Sequence, residues 1–482
     1  MARIIKYMNE RKSLVLALTF SLITLILFIP LSLNNNVWYD EAYEMVLNRH
    51  SLFDIIVFAS KDYTPPLYPI MMKLVTTLFG SSLLVARMVS LGAIIATMFL
   101  AFYPIKKIFG MKTSITFATL LITVQFIFYA GIELRPYSWP LFFTLASTVY
   151  MLMIIKENKQ NQWILYLLFG VGALYCHPYS ILYTIVLSMV FLIYILIKRR
   201  DLIKKYFLFT GLLIVIFVPW IAILIKQAST VSKDFWIMKP TMDTFYEVVK
   251  FLFYNEFLGR FTIVVGITSG LITAFTKNRD VFKKALLIVL PFVITIVLFV
   301  IISLLKTPLI IPRYIVTISG VLVLFIAIMY SQTKNKTLYI LLLGIWIIPV
   351  YDIYRLEYSK TDDSSVSVFV NEIRSKTSGD IYFLHDGEFS YGIMAYYFPE
   401  AAHISHPKTD TVLTTFKVFG DKTYSVDNFD KISLITKEFW GVSMSSYRKN
   451  TLSELGWTQT EEVGIYNPYF QAYGLSKYVY YK

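Results

Sequence analysis

At 482 residues, with 56% hydrophobic, 17% aromatic and 16% charged positions and a mean hydropathy of +0.60, the chain is too apolar for a soluble protein and reads as a polytopic α-helical membrane protein. Its net charge of +14 lies mostly in short clusters between apolar runs, so it marks topology and no nucleic-acid partner is called for. The single cysteine, Cys176, excludes an intrachain disulfide framework.

In chain order, Arg3, Lys6, Arg11 and Lys12 precede an apolar run over 13–33 that ends in Asn34-Asn35-Asn36. The run is too long for a usual signal peptide and lacks a small-residue cleavage site, so it is read as a retained anchor. Crossing a hydrocarbon core takes about 20 apolar residues, all with their backbone groups paired internally. Eleven spans are predicted on that basis: 13–33, 83–105, 113–132, 136–155, 161–176, 179–197, 206–225, 261–276, 285–305, 314–331 and 337–352. The fifth and sixth come from one apolar stretch, and loop charge divides it. With two spans there, the loops on one side hold 20 Lys and Arg in under 50 residues, against 11 in about twice that length on the other. That bias places the N-terminus in the cytoplasm and the C-terminus outside, with the plasma membrane as the expected location.

Two external loops are long. The first, 34–82, has apolar residues at helical spacing (Leu67, Ile70, Met71, Leu74, Leu78), which predicts helices lying in the interface, one of them starting after Pro65-Pro66. The second, 226–260, is aromatic, with Phe235, Trp236 and Phe251 among its rings; it reads either as a lid over the membrane face or as an interfacial aromatic belt. The expected organisation is thus a membrane domain over 1–352, including the 34–82 loop, and an external soluble α/β domain over 353–482. In the latter, helices are predicted at 363–376, 388–397 and 444–455, and strands at 380–384 and 432–436.

Residues able to carry chemistry gather at the external ends of the spans. Asp40 and Glu41 sit where the first loop leaves the bilayer; one reading makes one of the two a proton acceptor facing the site while the other faces its support, the other makes both helix-start acids with Asp40 as N-cap. Charges interrupting apolar runs cost roughly 2.5 to 3.5 kcal/mol at a helix centre, so their placement is informative. Arg87 lies just inside the second span, Glu133 and Arg135 in the turn after the third, His177 between the fifth and sixth, and Arg313 before the tenth. Snorkelling for Arg87, a local ion pair for Glu133 with Arg135 and a polar turn for His177 are the alternatives to a role in binding. Arginine suits a phosphate, because its planar fork gives two parallel charge-assisted hydrogen bonds. His403 and His406 read as solvated loop residues, and no metal-ligand spacing, P-loop or nucleophile elbow is present.

The ordered set Trp38-x-Asp40-Glu41, Asp62-x-x-Pro65-Pro66-Leu67-Tyr68, Leu78-Phe79-Gly80, Arg87, Glu133-x-Arg135-Pro136-Tyr137, His177-Pro178-Tyr179 and Pro312-Arg313-Tyr314 resembles the family 39 glycosyltransferases of the GT-C fold, the protein O-mannosyltransferase and lipid A aminoarabinose transferase type. The resemblance covers the membrane region to about residue 330. It implies an enzyme that takes a sugar from a polyprenyl-phosphate carrier and attaches it, with inversion, to an acceptor hydroxyl on a glycan, lipid or protein. Within it, Asp40 matches the base and Glu41 its support. Arg135 and Arg313 match positions holding the carrier phosphate, with Arg87, Glu133 and Tyr314 around them; Asp62 shapes the cavity floor, and His177 corresponds loosely. The large luminal insert of the protein mannosyltransferases is absent. Some such enzymes use a divalent metal ion at the phosphate, and the sequence leaves that cofactor open. Membrane lipids are the remaining partner, and a carrier-lipid flippase that breaks no bond is the alternative activity.

Overall fold

The computed structural model describes residues 2–62, 64–231, 237–275, 279–385, 388–406, 417–419, 422–467 and 470–481. Tyr63 and the loop aromatics Phe235 and Trp236 lie outside these. Contacts group the chain into two units, one of Met1–Pro30, Tyr63–Tyr68 and Arg87–Arg355, the other of Leu31–Asp62, Pro69–Ala86 and Leu356–Lys482.

Among the described residues, eight helices are long and apolar enough to cross a membrane, and a ninth if Met111–Thr123 and Gln125–Ile132 count as one bent span. The expected spans at 161–176 and 261–276 are helical too, as Gln160–Cys176 and Glu256–Phe275, the first only 17 residues long. Exposed apolar stripes show which surfaces need lipid. On the Arg279–Leu305 helix, Leu286, Leu290, Val293, Val297, Ile301 and Leu304 recur at helical spacing with 44–55% exposure, while Ala285, Ile288, Thr295, Phe299 and Ser303 are buried on the opposite side.

The 113–132 run, expected as one straight span, is broken. Val124 is extended (φ −79°, ψ 130°), and the two helices meet at 68°. Pairing survives the break, since Val124 N donates to Leu120 O at 3.0 Å and Ile127 N to Val124 O at 3.1 Å. Beyond it, Ser138–Glu157 and Gln160–Cys176 form a helical hairpin about Asn158, which takes the left-handed conformation (φ 49°) common where a helix ends. The two pack backbone to ring: a Cβ on Gly172 would lie 2.7 Å from the Phe143 ring. Thr144 Oγ1 donates to Thr317 O at 3.0 Å, tying Ser138–Glu157 to Pro312–Ser331 within two turns of both amino-terminal ends.

In the other unit a six-stranded sheet is built from β1 (Tyr382–His385), β2 (Ala402–Ser405), β3 (Thr423–Ser425), β4 (Glu438–Val442), β5 (Trp457–Asn467) and β6 (Phe470–Tyr480), in the order β3-β2-β1-β4-β6-β5. The first four are parallel and β6 and β5 antiparallel. Helices Ser364–Ser375, Glu388–Tyr397 and Ser446–Glu454 fall where the sequence places them. The strand expected at 432–436 does not form. Ile432–Ile435 is a helical turn following the 3-10 turn Phe429–Lys431; Ile432 is buried but Leu434 is 85% exposed, an arrangement a two-residue alternation cannot give. The central strand is instead the next segment, β4, almost wholly buried.

His403, expected in a solvated loop, lies on β2 and is 2% exposed, because parallel strands covered on both faces have no solvated side. Its Nδ1 shares a hydrogen bond of 2.9 Å with His385 Nε2, and His385 Nδ1 shares another of 2.9 Å with Ser390 Oγ. Burial holds both imidazoles neutral, His403 lowered to about 3 and His385 well below its usual range, with His403 adding to the effect on His385. An unfolded histidine titrates near 6.5, so between about pH 6.5 and about pH 3 the unfolded chain binds protons that the folded sheet excludes. The sheet should therefore be fully stable above about pH 6.5 and lose roughly 2 kcal/mol at His403 by pH 5, with a further loss of the same sign at His385. Amide exchange on β1 and β2, corrected for the intrinsic rate, should accelerate from pH 7 to pH 5, and less so in His403→Gln; equal protection at both pH values would contradict the buried neutral pair.

Candidate active site

The acidic pair lies on the helix Tyr39–Leu47. Trp38, extended at φ −96° and ψ 174°, is its N-cap and makes no side-chain cap bond. Asp40 is therefore inside the first turn and not the cap, where both carboxylates favour the positive helix end. They project about 100° apart. Glu41 is fully buried and Asp40 half-buried, so Glu41 faces protein while Asp40 keeps an open side. Tyr43, Val46 and Leu47 are buried against Tyr391, Ala395, Val418 and Phe419. Asp62 stands at the end of the following helix, Leu52–Lys61, its N–H bonded to Phe58 O at 3.0 Å and its side chain half-buried.

In the membrane unit, a second set assembles from three helix starts. The short Gln125–Ile132 helix ends at Glu133, which is 7% exposed, and the chain turns through Arg135 to Tyr137, whose N–H bonds Arg135 O at 2.8 Å. Tyr137 is the N-cap of Ser138–Glu157. His177 is the N-cap of Pro178–Lys198; Pro178 begins that helix without needing an N–H partner, and His177 Nδ1 accepts from Tyr179 N at 3.2 Å. Pro312 starts Pro312–Ser331 in the same way, putting Arg313 and Tyr314 in its first turn.

These three starts meet ring to ring. The His177 ring centroid is 6.0 Å from Tyr137, 5.4 Å from Tyr179 and 5.2 Å from Tyr314. Tyr179 also lies 5.3 Å from Tyr314 and 4.1 Å from Phe299. The Arg313 guanidinium stands 5.5 Å from the Tyr314 ring centre. His177, in the break between two spans, has its pKa lowered to about 3, first by burial and then by the charges of Arg135 and Arg313. It is thus neutral at ordinary pH, and with Nδ1 accepting, Nε2 carries the proton and can donate. Three positive helix ends and two guanidinium groups around a neutral imidazole favour an anion.

Beside this set is a cavity of about 560 Å³, lined by Tyr129, Ile237, Met238, Thr244, Phe251, Ile310, Ile311, Pro312 and Arg313. Arg313 is its charged wall; the rest is mainly apolar. Phe251 comes from the helix Met242–Phe253 of the aromatic 226–260 loop and meets Tyr129 edge-on at 5.3 Å, so part of that loop lines the cavity. Arg87, on Leu83–Phe109, is 1% exposed and so does not snorkel to interfacial water. Arg135, His177, Arg313 and Tyr314 are thus brought together, while Asp40, Glu41 and Asp62 belong to the other unit. Tyr137 and Tyr179 had no role in the sequence reading, although both close recognisable tripeptides ending Pro-Tyr. Among the described residues no group of three or more His, Cys, Asp and Glu is placed to hold a metal ion.

No curated protein matches the sequence significantly. Among solved structures, ArnT from Cupriavidus metallidurans bound to undecaprenyl phosphate aligns over 96% of this chain and 97% of its own, with a TM-score of 0.62 and 14% identity. The same protein in its apo state gives the same coverage and identity at a TM-score of 0.63. The family model of dolichyl-phosphate-mannose-protein mannosyltransferases matches residues 63–223, the segment holding Arg87, Glu133, Arg135 and His177. The chain is therefore a multi-pass membrane protein of the GT-C fold with a small C-terminal sheet domain, and over that segment it resembles the mannosyltransferases of this type.

Proposed function

We propose that the protein is an inverting glycosyltransferase that moves a sugar from a polyprenyl-phosphate carrier to an acceptor hydroxyl at the outer face of the membrane. The observation that carries this reading is the cluster of Arg135, Arg313 and three helix starts around neutral His177, next to a mainly apolar cavity of about 560 Å³. An anion with a long apolar tail satisfies both halves of that description, and a polyprenyl phosphate is such a molecule. The bound undecaprenyl phosphate of the ArnT relative supports the same ligand class.

In this reading the acceptor hydroxyl oxygen attacks the anomeric carbon as the bond from that carbon to the phosphate oxygen breaks. The hydroxyl proton passes to the Asp40 carboxylate, and the carrier leaves as polyprenyl phosphate. Negative charge grows on the phosphate during the step, so donors fixed in advance at Arg135 and Arg313 stabilise the transition state more than the ground state. Buried Glu41 supports the Asp40 turn. Arg87 and Glu133 brace the phosphate side and Tyr314 shapes it beside Arg313; Asp62, in the other unit, keeps in this proposal the floor role that the family resemblance implies. The N-terminus is cytoplasmic and the sheet domain external in this scheme, following the loop charges.

The test is release of free polyprenyl phosphate by the purified protein from a panel of polyprenyl-phosphate sugars, with membrane extract as acceptor source. Wild type should release it, and Asp40→Asn should lose about 10² to 10⁴-fold in rate while staying folded, the size expected for a general base. Near-normal turnover by Asp40→Asn would sink the role of this carboxylate, and no release from any donor would favour carrier flipping without bond cleavage. Separately, Arg313→Ala should weaken binding of the carrier phosphate about 10 to 100-fold, matching the loss of charge-assisted hydrogen bonds. Equal donor affinity in wild type and variant, measured by titration in detergent, would remove Arg313 from the phosphate site.

A further inference from the structure

The helix that bears Asp40 is held at both ends by the C-terminal part of the chain. Before it, the Asn34-Asn35-Asn36 triplet is fixed group by group. Asn36, with no exposed surface, donates both amide hydrogens of its side chain, to Lys360 O and to Asp362 O, each at 2.8 Å. Asn35 N donates to Asp363 Oδ2 at 2.7 Å. The Tyr397 hydroxyl donates to Asn35 O at 2.8 Å and accepts from Val37 N at 3.2 Å, so one oxygen clasps the two peptides leading into Trp38.

After the helix, Arg49 donates through its two terminal nitrogens to Ala395 O and Tyr396 O, each at 3.0 Å. These are carbonyls of the last turn of Glu388–Tyr397, which lack partners inside their own helix. His50 Nε2 donates to Val418 O at 2.6 Å. Between the two clasps, Gly392 lets the helices touch: a Cβ there would lie 3.2 Å from the Tyr39 ring and 3.3 Å from Phe419.

A helix of nine residues is too short to be stable alone, so what holds it decides where its carboxylates point. We infer that the C-terminal part of the chain is the positioning element for Asp40, with Tyr397 and Asn36 as its positioning residues. This rests on the proposed role of Asp40 in glycosyl transfer. Losing one clasp leaves the carrier-phosphate groups untouched, because Arg135, His177 and Arg313 belong to other segments, but lets the carboxylate stray from its attack geometry. A displacement of about 1 Å can cost on the order of a hundredfold in rate.

The experiment compares full-length wild type, Tyr397→Phe and Asp40→Asn in lipid nanodiscs by two readouts: amide exchange along the chain, and kcat with donor KM. Tyr397→Phe keeps the ring and removes only the bridging oxygen. It should exchange at least fivefold faster over residues 37–47 with β1 and β2 unchanged, and lose at least tenfold in kcat with donor KM within twofold of wild type. Unchanged exchange over 37–47 would overturn the inference, and so would faster exchange with kcat within twofold. If Asp40→Asn is inactive while Tyr397→Phe turns over normally, the positioning role fails and the function stands. If wild type transfers nothing from any donor, the function fails, and the exchange comparison alone decides whether Tyr397 clasps the helix.

Discussion

Positive charge held among apolar helix ends is the feature on which the membrane unit depends. Arg135 and Arg313 both act on His177, and each adds to burial in keeping that imidazole uncharged. A third cation there would repel the other two in a medium that screens poorly. The solution is geometric: proline starts two of the three helices, and an imidazole nitrogen takes up one of the free amides, so the helix ends come together with their positive poles aligned. Such an arrangement is electrostatically favourable when an anion faces it, and its apolar surroundings restrict which anions can arrive.

The break at Val124 shapes this geometry. A straight helix over 113–132 would carry Glu133 along the same axis, whereas the 68° bend turns the last eight residues aside and sends the chain through Arg135 and back into Ser138–Glu157. Backbone pairing on both sides of the break is what makes the bend tolerable in an apolar setting.

Much of this was legible in the sequence, for identifiable reasons. Spans show as long apolar runs because the hydrocarbon demands them, and Arg135, His177 and Arg313 stood out because charge and polarity at span ends are costly enough to be informative. The failures share a cause, which is that local pattern does not encode tertiary cover. Val124 sits between Thr123 and Gln125 in an otherwise apolar run, and neither neighbour is a proline or glycine that would announce a bend. Asp40 looks like an N-cap because of its residue type, yet the helix begins earlier, where Tyr39 is packed by Gly392. His403 looks solvated until β1 and β3 enclose it, and the polar Thr458–Glu462 stretch of β5 hides a strand that is paired on one side only. The three asparagines after the first span read as a plain polar end because their partners are far away in the chain.

That distance bears on how the protein comes into being. Asn36 and Lys360 are separated by 324 positions and Asn35 and Tyr397 by 362, among the longest-range pairings the chain contains. Chains are synthesised from the amino end, and contacts of such separation form late. The ribosome therefore delivers the acidic helix near the beginning of synthesis but the groups that seat it only in the last quarter. A nascent chain that already holds Arg135 and Arg313 therefore lacks the groups that seat the Asp40 helix, and that helix is fixed only after most of the chain has been made.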